Sequence, residues 1–250
     1  MKMFSLRRQA DATPLSFRSV ARSHIGKVRM VNEDRLLDCP ERGLWAIADG
    51  MGGHHLGDKA ATIVVRALAQ LAEAEGALDA AAIVAALDGA NSDIMAISRS
   101  AGQICGSTVA ALHIDGCRCT IVWAGDSRIY RLRDRKLQRL SHDHSVVQEL
   151  TDAGIITEAQ GRYHPQSNVI TRAIGIDRNS HVERGASIAQ QGDRFLLCSD
   201  GLSAQLSDDA MLALLSSGME ESANRLLTAA LDAGGSDNIS LILIGTDDQG

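Results

Sequence analysis

The chain has 250 residues, of which 45% are hydrophobic, 22% charged and 3% aromatic, and its net charge is −6. That balance is too apolar for a disordered chain and too charged for a membrane protein, and scarce rings on an acidic chain speak against a nucleic-acid binder. No run of about 18 apolar residues offers a membrane span, the N-terminus lacks the apolar stretch of a secretory signal, and five cysteines without framework spacing indicate a reducing compartment.

Residues 1–14 read as a polar lead-in, 247–250 as a tail, and 15–246 as one domain without repeat, low-complexity tract or linker. Strands are predicted over 16–23 and 35–38, and over 43–48, where GLWAIA is a short apolar run bounded by glycine. A helix is predicted over 58–74, with Ile63, Val64, Ala67, Leu68 and Leu71 at helical spacing. A second covers 79–98 and is expected to break or bend near Gly89. The texture then turns to β. Segments 107–114 and 118–124 are joined by Asp115-Gly116, a pair that favours a type I′ turn, and 127–133 and 136–140 form another hairpin across Asp134-Arg135. Residues 145–153 read as helix, 169–173 and 194–197 as strands, 208–216 and 220–233 as helices, and 239–244 as a last apolar strand. Hairpins imply antiparallel pairing, and helices that come in pairs cover sheet faces, so the fold class expected is α+β.

Four aspartates are each read as lying just past an apolar strand, beside glycine or a small residue: Asp49 in LWAIADGMGG, Asp126 in TIVWAGDSR, Asp200 in FLLCSDGLS and Asp237 in GGSDNISLIL. Glu33 and Asp34 stand together in RMVNEDR. A carboxylate leaving a buried strand needs a partner, yet Asp49, Asp200 and Asp237 have no Lys or Arg within three residues. Turn chemistry accounts for any one of them, because aspartate bonds readily to local backbone N–H groups. Four such cases plus an acidic pair favour a divalent cation of the oxygen-seeking kind, Mg²⁺ or Mn²⁺.

Rival motifs fit less well. In Asp49-Gly50-Met51-Gly52-Gly53 the dinucleotide fingerprint fails at His55, and no β-α-β unit follows. His142-Asp143 follows a hairpin, so Asp143 and His144 are read as fixing the turn into the next helix. Cys117 and Cys119 are read as small apolar groups facing one side of a strand, and Cys198 as core. Ser107 and Ser127 lack the context of a serine nucleophile.

Taken together, VRMVNEDR, WAIADGMGGH, CGSTVAAL, WAGDSRIYRLR, LSHDHSV, ITRAIG, FLLCSDGLS and SDNISLIL resemble, in order, the motifs of the metal-dependent protein serine/threonine phosphatases (the PPM family, type 2C), in the bacterial form. The resemblance spans roughly residues 18–245. It implies a four-layer sandwich, two central antiparallel sheets flanked by helix pairs, with two Mn²⁺ or Mg²⁺ ions between the sheets. By this resemblance Asp49 bridges both ions and the Gly50 carbonyl binds one. Asp200 and Asp237 complete the other, Glu33 and Asp34 act mainly through bound waters, Asp126 helps hold a third ion, and Arg29 grips the substrate phosphate.

The implied reaction is attack on phosphoserine or phosphothreonine by a hydroxide bridging the two ions, with Arg29 and Asp49 catalytic. The implied setting is a cytoplasmic monomer that acts on phosphorylated proteins, opposes a Ser/Thr kinase, and needs no nucleic acid or membrane. Eukaryotic members carry a histidine where this chain has Met51, so the leaving oxygen must be protonated by a bound water or another group; His54 and His55 read mainly as the start of a loop. Residues 151–167 fall where the family has a variable flap. A catalytically dead phosphoprotein-binding module is disfavoured because every acid and Arg29 are present, and a purely structural metal domain gives no reason for Arg29.

Overall fold

Alternate side chains along the apolar strands face opposite sides, and that alternation sets the layers. The computed structural model describes residues 15–53 and 56–246. One sheet consists of β1 (Phe17–His24), β7 (Arg128–Arg133), β8 (Lys136–Arg139), β10 (Arg194–Cys198) and β11 (Ile239–Thr246), ordered β1-β11-β10-β7-β8. The other holds β2 (Asp34–Cys39), β3 (Leu44–Gly52), β5 (Val109–Asp115), β6 (Arg118–Ala124) and β9 (Glu183–Ile188) in that order, with the short β4 (Cys105–Ser107) pairing the end of β3. Every strand pairing is antiparallel.

Trp45 and Ile47 of β3, Leu112 of β5 and Ile121 of β6 face Phe195 and Leu197 of β10 and Ile242 of β11, so the two sheets share an inner core. The alternate residues Leu44, Ala46 and Ala48 face outward against α1 (Leu56–Glu73) and α2 (Ala80–Ala101), which bury Val64, Leu68, Ile83 and Leu87 there. On the far side Leu196, Leu241 and Leu243 meet α5 (Asp200–Ser203), α6 (Asp208–Leu214) and α7 (Met219–Asp232) through Leu202, Met211 and Leu226. The result is the four-layer α+β sandwich the motifs implied, with helices outside and two antiparallel sheets within. Two short helices, α3 (Val146–Asp152) and α4 (Glu158–Gly161), lie in the connection between β8 and β9.

Several expectations are corrected. α2 runs unbroken through Gly89, where a side chain would meet nothing within 4 Å, so the glycine neither packs a neighbour nor bends the helix. This helix begins on Asp79, whose carboxylate accepts from Ala82 N–H, and ends at Gly102 with φ 64°. Contrary to the expectation of no membrane-length apolar run, it is long and apolar enough to cross a membrane by length and composition, but here it packs on α1 and the sheet. Residues 169–173 form no strand; a single bridge joins Ile170 to Ser145. β9 falls where no strand is predicted, and the predicted strand 107–114 is divided between the end of β4 and β5. The first hairpin turns on Gly116-Cys117 rather than Asp115-Gly116, since Asp115 pairs with Arg118, and glycine at the first turn position with φ 60° follows the type II′ pattern. The second turns on Asp134 and Arg135, both with positive φ, as type I′ requires. Cys117 is exposed in its turn while Cys119 and Cys198 are buried. The lead-in 1–14, the tail 247–250, and His54 and His55 lie outside the described residues.

Candidate active site

The strand ends that carry the acids meet at one end of the sandwich. β2 and β3 pair so that Asp34 stands opposite Asp49. Asp49 lies within β3 rather than past it, because the strand continues through Gly52 to reach β4. Its backbone is held by the next hairpin. The Asp49 N–H donates to Thr108 Oγ1 at 3.0 Å, and its carbonyl accepts from Thr108 N–H at 2.8 Å and Ser107 Oγ at 3.1 Å. Thr108 Oγ1 in turn meets Ser127 Oγ at 2.8 Å, which ties β3 to the loop carrying Asp126 at the end of β6. Asp200 opens α5 directly behind its N-cap Ser199. Asp237 precedes β11 instead of following a strand. Gly50 donates its N–H to the Glu33 carbonyl at 3.2 Å, and a Cβ on it would stand 2.0 Å from the Gly57 carbonyl oxygen, so only glycine fits against the start of α1. The Glu33 carboxylate lies over the same spot, 2.7 Å from where a Gly57 Cβ would be.

These acids sense one another. Asp34 is 2% exposed; Ser199 Oγ donates to its Oδ2 at 2.8 Å, while its Oδ1 has no partner. Burial pushes the Asp34 carboxyl up to about 7, with the charges of Asp200 and Asp237 adding and hydrogen bonds from Ser240 and Ser199 opposing. Burial likewise holds Asp49 well above the usual carboxylate range, reinforced by Asp34, Asp200, Asp126 and Asp237. Asp126 is raised by burial and then by Asp200 and Asp143. Asp200 is raised by burial and then by Asp237, against hydrogen bonds accepted from the Asp49 carboxyl and from Gly201 N–H. One cation answers from the exposed side: Arg29 Nη2 donates to Asp237 Oδ2 at 2.6 Å, a bond that raises its own pKa, as do the charges of Asp237, Asp49 and Asp200.

Among the described residues no three acidic, histidine or cysteine side chains form a group that could hold a metal as they stand. Uncompensated carboxylates repel each other, and Arg29 occupies Asp237. The donor set nonetheless fits hard divalent ions. Asp34 Oδ1 and Asp200 Oδ1 are buried without a hydrogen bond, every candidate donor is oxygen, and a buried carboxylate without a partner is costly unless a cation or a proton satisfies it.

All the acids singled out from the sequence therefore come together with Arg29, and Gly50 and Glu33 adjoin them. Sequence reasoning missed Thr108 and Ser199, neutral residues that hold Asp49 and Asp34 in place, and Asn238, whose side chain bonds the backbone of the loop carrying Arg29. Asp143 belongs to a neighbouring network: Arg128 Nε and Nη2 bond its Oδ2 at 2.9 and 2.6 Å, and Arg128 Nη1 donates to Tyr130. His144 Nδ1 accepts from Gly125 N–H at 3.2 Å, next to Asp126. Both residues bond the segment beside Asp126, and Ser107 and Ser127 bond to the Asp49 carbonyl and to Thr108.

Residues 21–234 match the family described as protein phosphatase 2C. The chain is 40% identical over 235 residues to the serine/threonine protein phosphatase PstP of Mycobacterium tuberculosis, which takes in 92% of the chain and 45% of that protein, so the chain spans about half the length of this relative. It is 32% identical over 238 residues to the serine/threonine phosphatase stp of Listeria monocytogenes, covering 90% of the chain and 94% of that protein. The crystal structure of Mycobacterium tuberculosis PstP superposes with a TM-score of 0.85 at 39% identity, over 93% of this chain and 99% of that one. A PstP catalytic domain solved with two manganese ions gives 0.84 at 38% identity, over 94% and 100%.

Proposed function

The chain belongs to the protein phosphatase 2C family, and on that premise we propose that residues 15–246 form a metal-dependent phosphatase domain acting on phosphoserine and phosphothreonine in proteins. The observation that carries this reading is the convergence of Asp34, Asp49, Asp126, Asp200 and Asp237 on one another, with Arg29 bonded to Asp237 at their edge. A binding module for phosphoproteins would need the arginine but not a set of buried, mutually repelling acids.

Asp49, the Gly50 carbonyl, Asp200 and Asp237 are the residues that would hold a pair of Mn²⁺ or Mg²⁺ ions. Asp49, opposite Asp34 across the strands and hydrogen-bonded with Asp200, would be a central ligand of that pair. Glu33 and Asp34 would act at the periphery of the pair, and Asp126 would help hold a third ion. When bound, the ions supply an attacking water of lowered pKa and positive charge against the phosphoryl oxygens. The protein supplies placement. Thr108 and Ser107 fix the Asp49 backbone from both sides, and Ser199 orients Asp34 by donating to its Oδ2. Arg29, with a planar fork on an exposed loop, binds the phosphate bidentately and draws it towards the acids. Met51 offers no proton to the leaving oxygen.

The substrates are then phosphorylated proteins and the opposing activity a Ser/Thr kinase, with the domain acting as a cytoplasmic monomer. The test is hydrolysis of an aryl phosphate and of peptides bearing phosphoserine, phosphothreonine or phosphotyrosine. Turnover of the first three with Mn²⁺ or Mg²⁺, abolished by EDTA, supports the proposal; turnover that survives thorough chelation contradicts it.

A further inference from the structure

Residues 25–33, which carry Arg29, connect β1 to β2 and lie against the turn 235–238 that leads into β11. One side chain does most of the fastening. Asn238 is 5% exposed. Its Nδ2 donates to the Ile25 carbonyl at 2.9 Å and the Val31 carbonyl at 3.0 Å, and its Oδ1 accepts from Glu33 N–H at 2.8 Å. Both amide hydrogens and the amide oxygen are thus used on the two ends of the arginine loop. The backbone N–H of the same residue donates to Asp237 Oδ1 at 2.8 Å.

Further contacts join the same two segments. Lys27 N–H donates to the Gly235 carbonyl at 2.7 Å. Gly26, at φ +83°, approaches so closely that a Cβ on it would stand 2.2 Å from the Asp237 carbonyl oxygen. From this tethered loop the Arg29 guanidinium reaches Asp237 Oδ2 at 2.6 Å. An arginine is long and rotamer-rich, so an anion bound by one on a loose loop loses affinity to the ordering of both loop and side chain. Here hydrogen bonds fasten both ends of the loop to the turn.

We propose that Asn238 is a positioning residue for phosphate binding: it clasps both ends of the loop 25–33 to the Asp237 turn and so holds Arg29 beside the ion-binding acids. The inference rests on the reading of Arg29 as the phosphate ligand given above. The Asn238 side-chain amide is spent on the backbone of that loop, so it acts through Arg29.

The test compares the full chain, Asn238→Ala, Arg29→Ala and the double variant, all with Mn²⁺. Inorganic phosphate is the probe for affinity, by calorimetry, and an aryl phosphate the probe for kcat and KM. Each single substitution is expected to weaken phosphate binding and raise KM by about tenfold, with kcat changed much less. The double variant should resemble Arg29→Ala alone, because residues acting through one another are not additive. Hydrogen exchange in a peptide covering 25–33 should quicken in Asn238→Ala, and Mn²⁺ affinity without phosphate, read by electron paramagnetic resonance, should hold.

Unchanged phosphate affinity in Asn238→Ala, effects that multiply in the double variant, or a large loss of Mn²⁺ affinity would each overturn the positioning role. If Arg29→Ala itself leaves phosphate binding intact, the assignment of Arg29 falls first, which is a different result from a failure of Asn238 alone. Should Asn238→Ala not fold, Asn238→Ser enters the same cycle under the same criteria.

Discussion

Replacing Asp34 by asparagine in the metal-free protein should flatten the dependence of stability on pH. Asp34 is 2% exposed, one of its oxygens has no partner, and its folded pKa is about 7. In the unfolded chain the same group ionises near 3.8, the reference value. The folded pKa is the higher one, so the folded protein holds a proton that the unfolded chain has released. The associated stability is complete below about 3.8, declines as pH rises, and is lost above about 7. The stability involved is on the order of a few kcal/mol at full extent, and the larger part of it is lost between about pH 5 and pH 8. Asparagine keeps the shape, can still accept from Ser199, and has no proton to lose. Urea unfolding of the EDTA-treated proteins at the two pH values measures the difference. The wild type should lose at least about 2 kcal/mol more than Asp34→Asn over that range. Mn²⁺ should restore the wild type at the higher pH, by about 2.7 kcal/mol at a hundredfold excess over Kd. Parallel losses in the two proteins would refute the claim that Asp34 is protonated in the fold for want of a cation.

Other substitutions probe the remaining parts. Asp49→Asn and Asp237→Asn should each reduce turnover of an aryl phosphate by at least about a hundredfold, with circular dichroism unchanged; retained activity in Asp49→Asn would remove it from the ion pair. Asp126→Ala should shift the Mn²⁺ concentration needed for full rate upwards without abolishing activity, and an unaltered titration would count against a third ion. Gly50→Ala should destabilise the fold by several kcal/mol, seen as a lower Tm, because its Cβ would stand 2.0 Å from the Gly57 carbonyl oxygen.

The acids were legible because each combines a charge with a neighbouring apolar run, and a charge at the edge of a buried strand demands an explanation. Their exact placement was not: Asp237 precedes its strand and Asp49 sits inside one. The alternation that sorts Trp45 and Ile47 from Leu44 and Ala46 is written in a single apolar run, where period alone cannot say which face meets the helices. β9 escaped because ERGASI is polar and sits at the sheet edge, paired to β6 through its backbone. Segment 169–173 misled because Val169 and Ile170 look like strand residues, yet their partners are single backbone contacts with Val146 and Ser145. Gly89 suggested a break that helix context overrides. Asn238, Ser199 and Thr108 gave no signal, since what makes them matter is a partner far away in the chain, as Asn238 is from Ile25 and Ser199 from Asp34.

The central claim is that these carboxylates are gathered to hold a pair of cations. Diffraction from manganese-soaked crystals at the metal absorption edge tests it most directly. Two anomalous peaks, both in contact with the Asp49 carboxylate and flanked by Asp200 and Asp237, are the predicted result. Manganese lodged elsewhere, or ions that Asp49 does not touch, would contradict it.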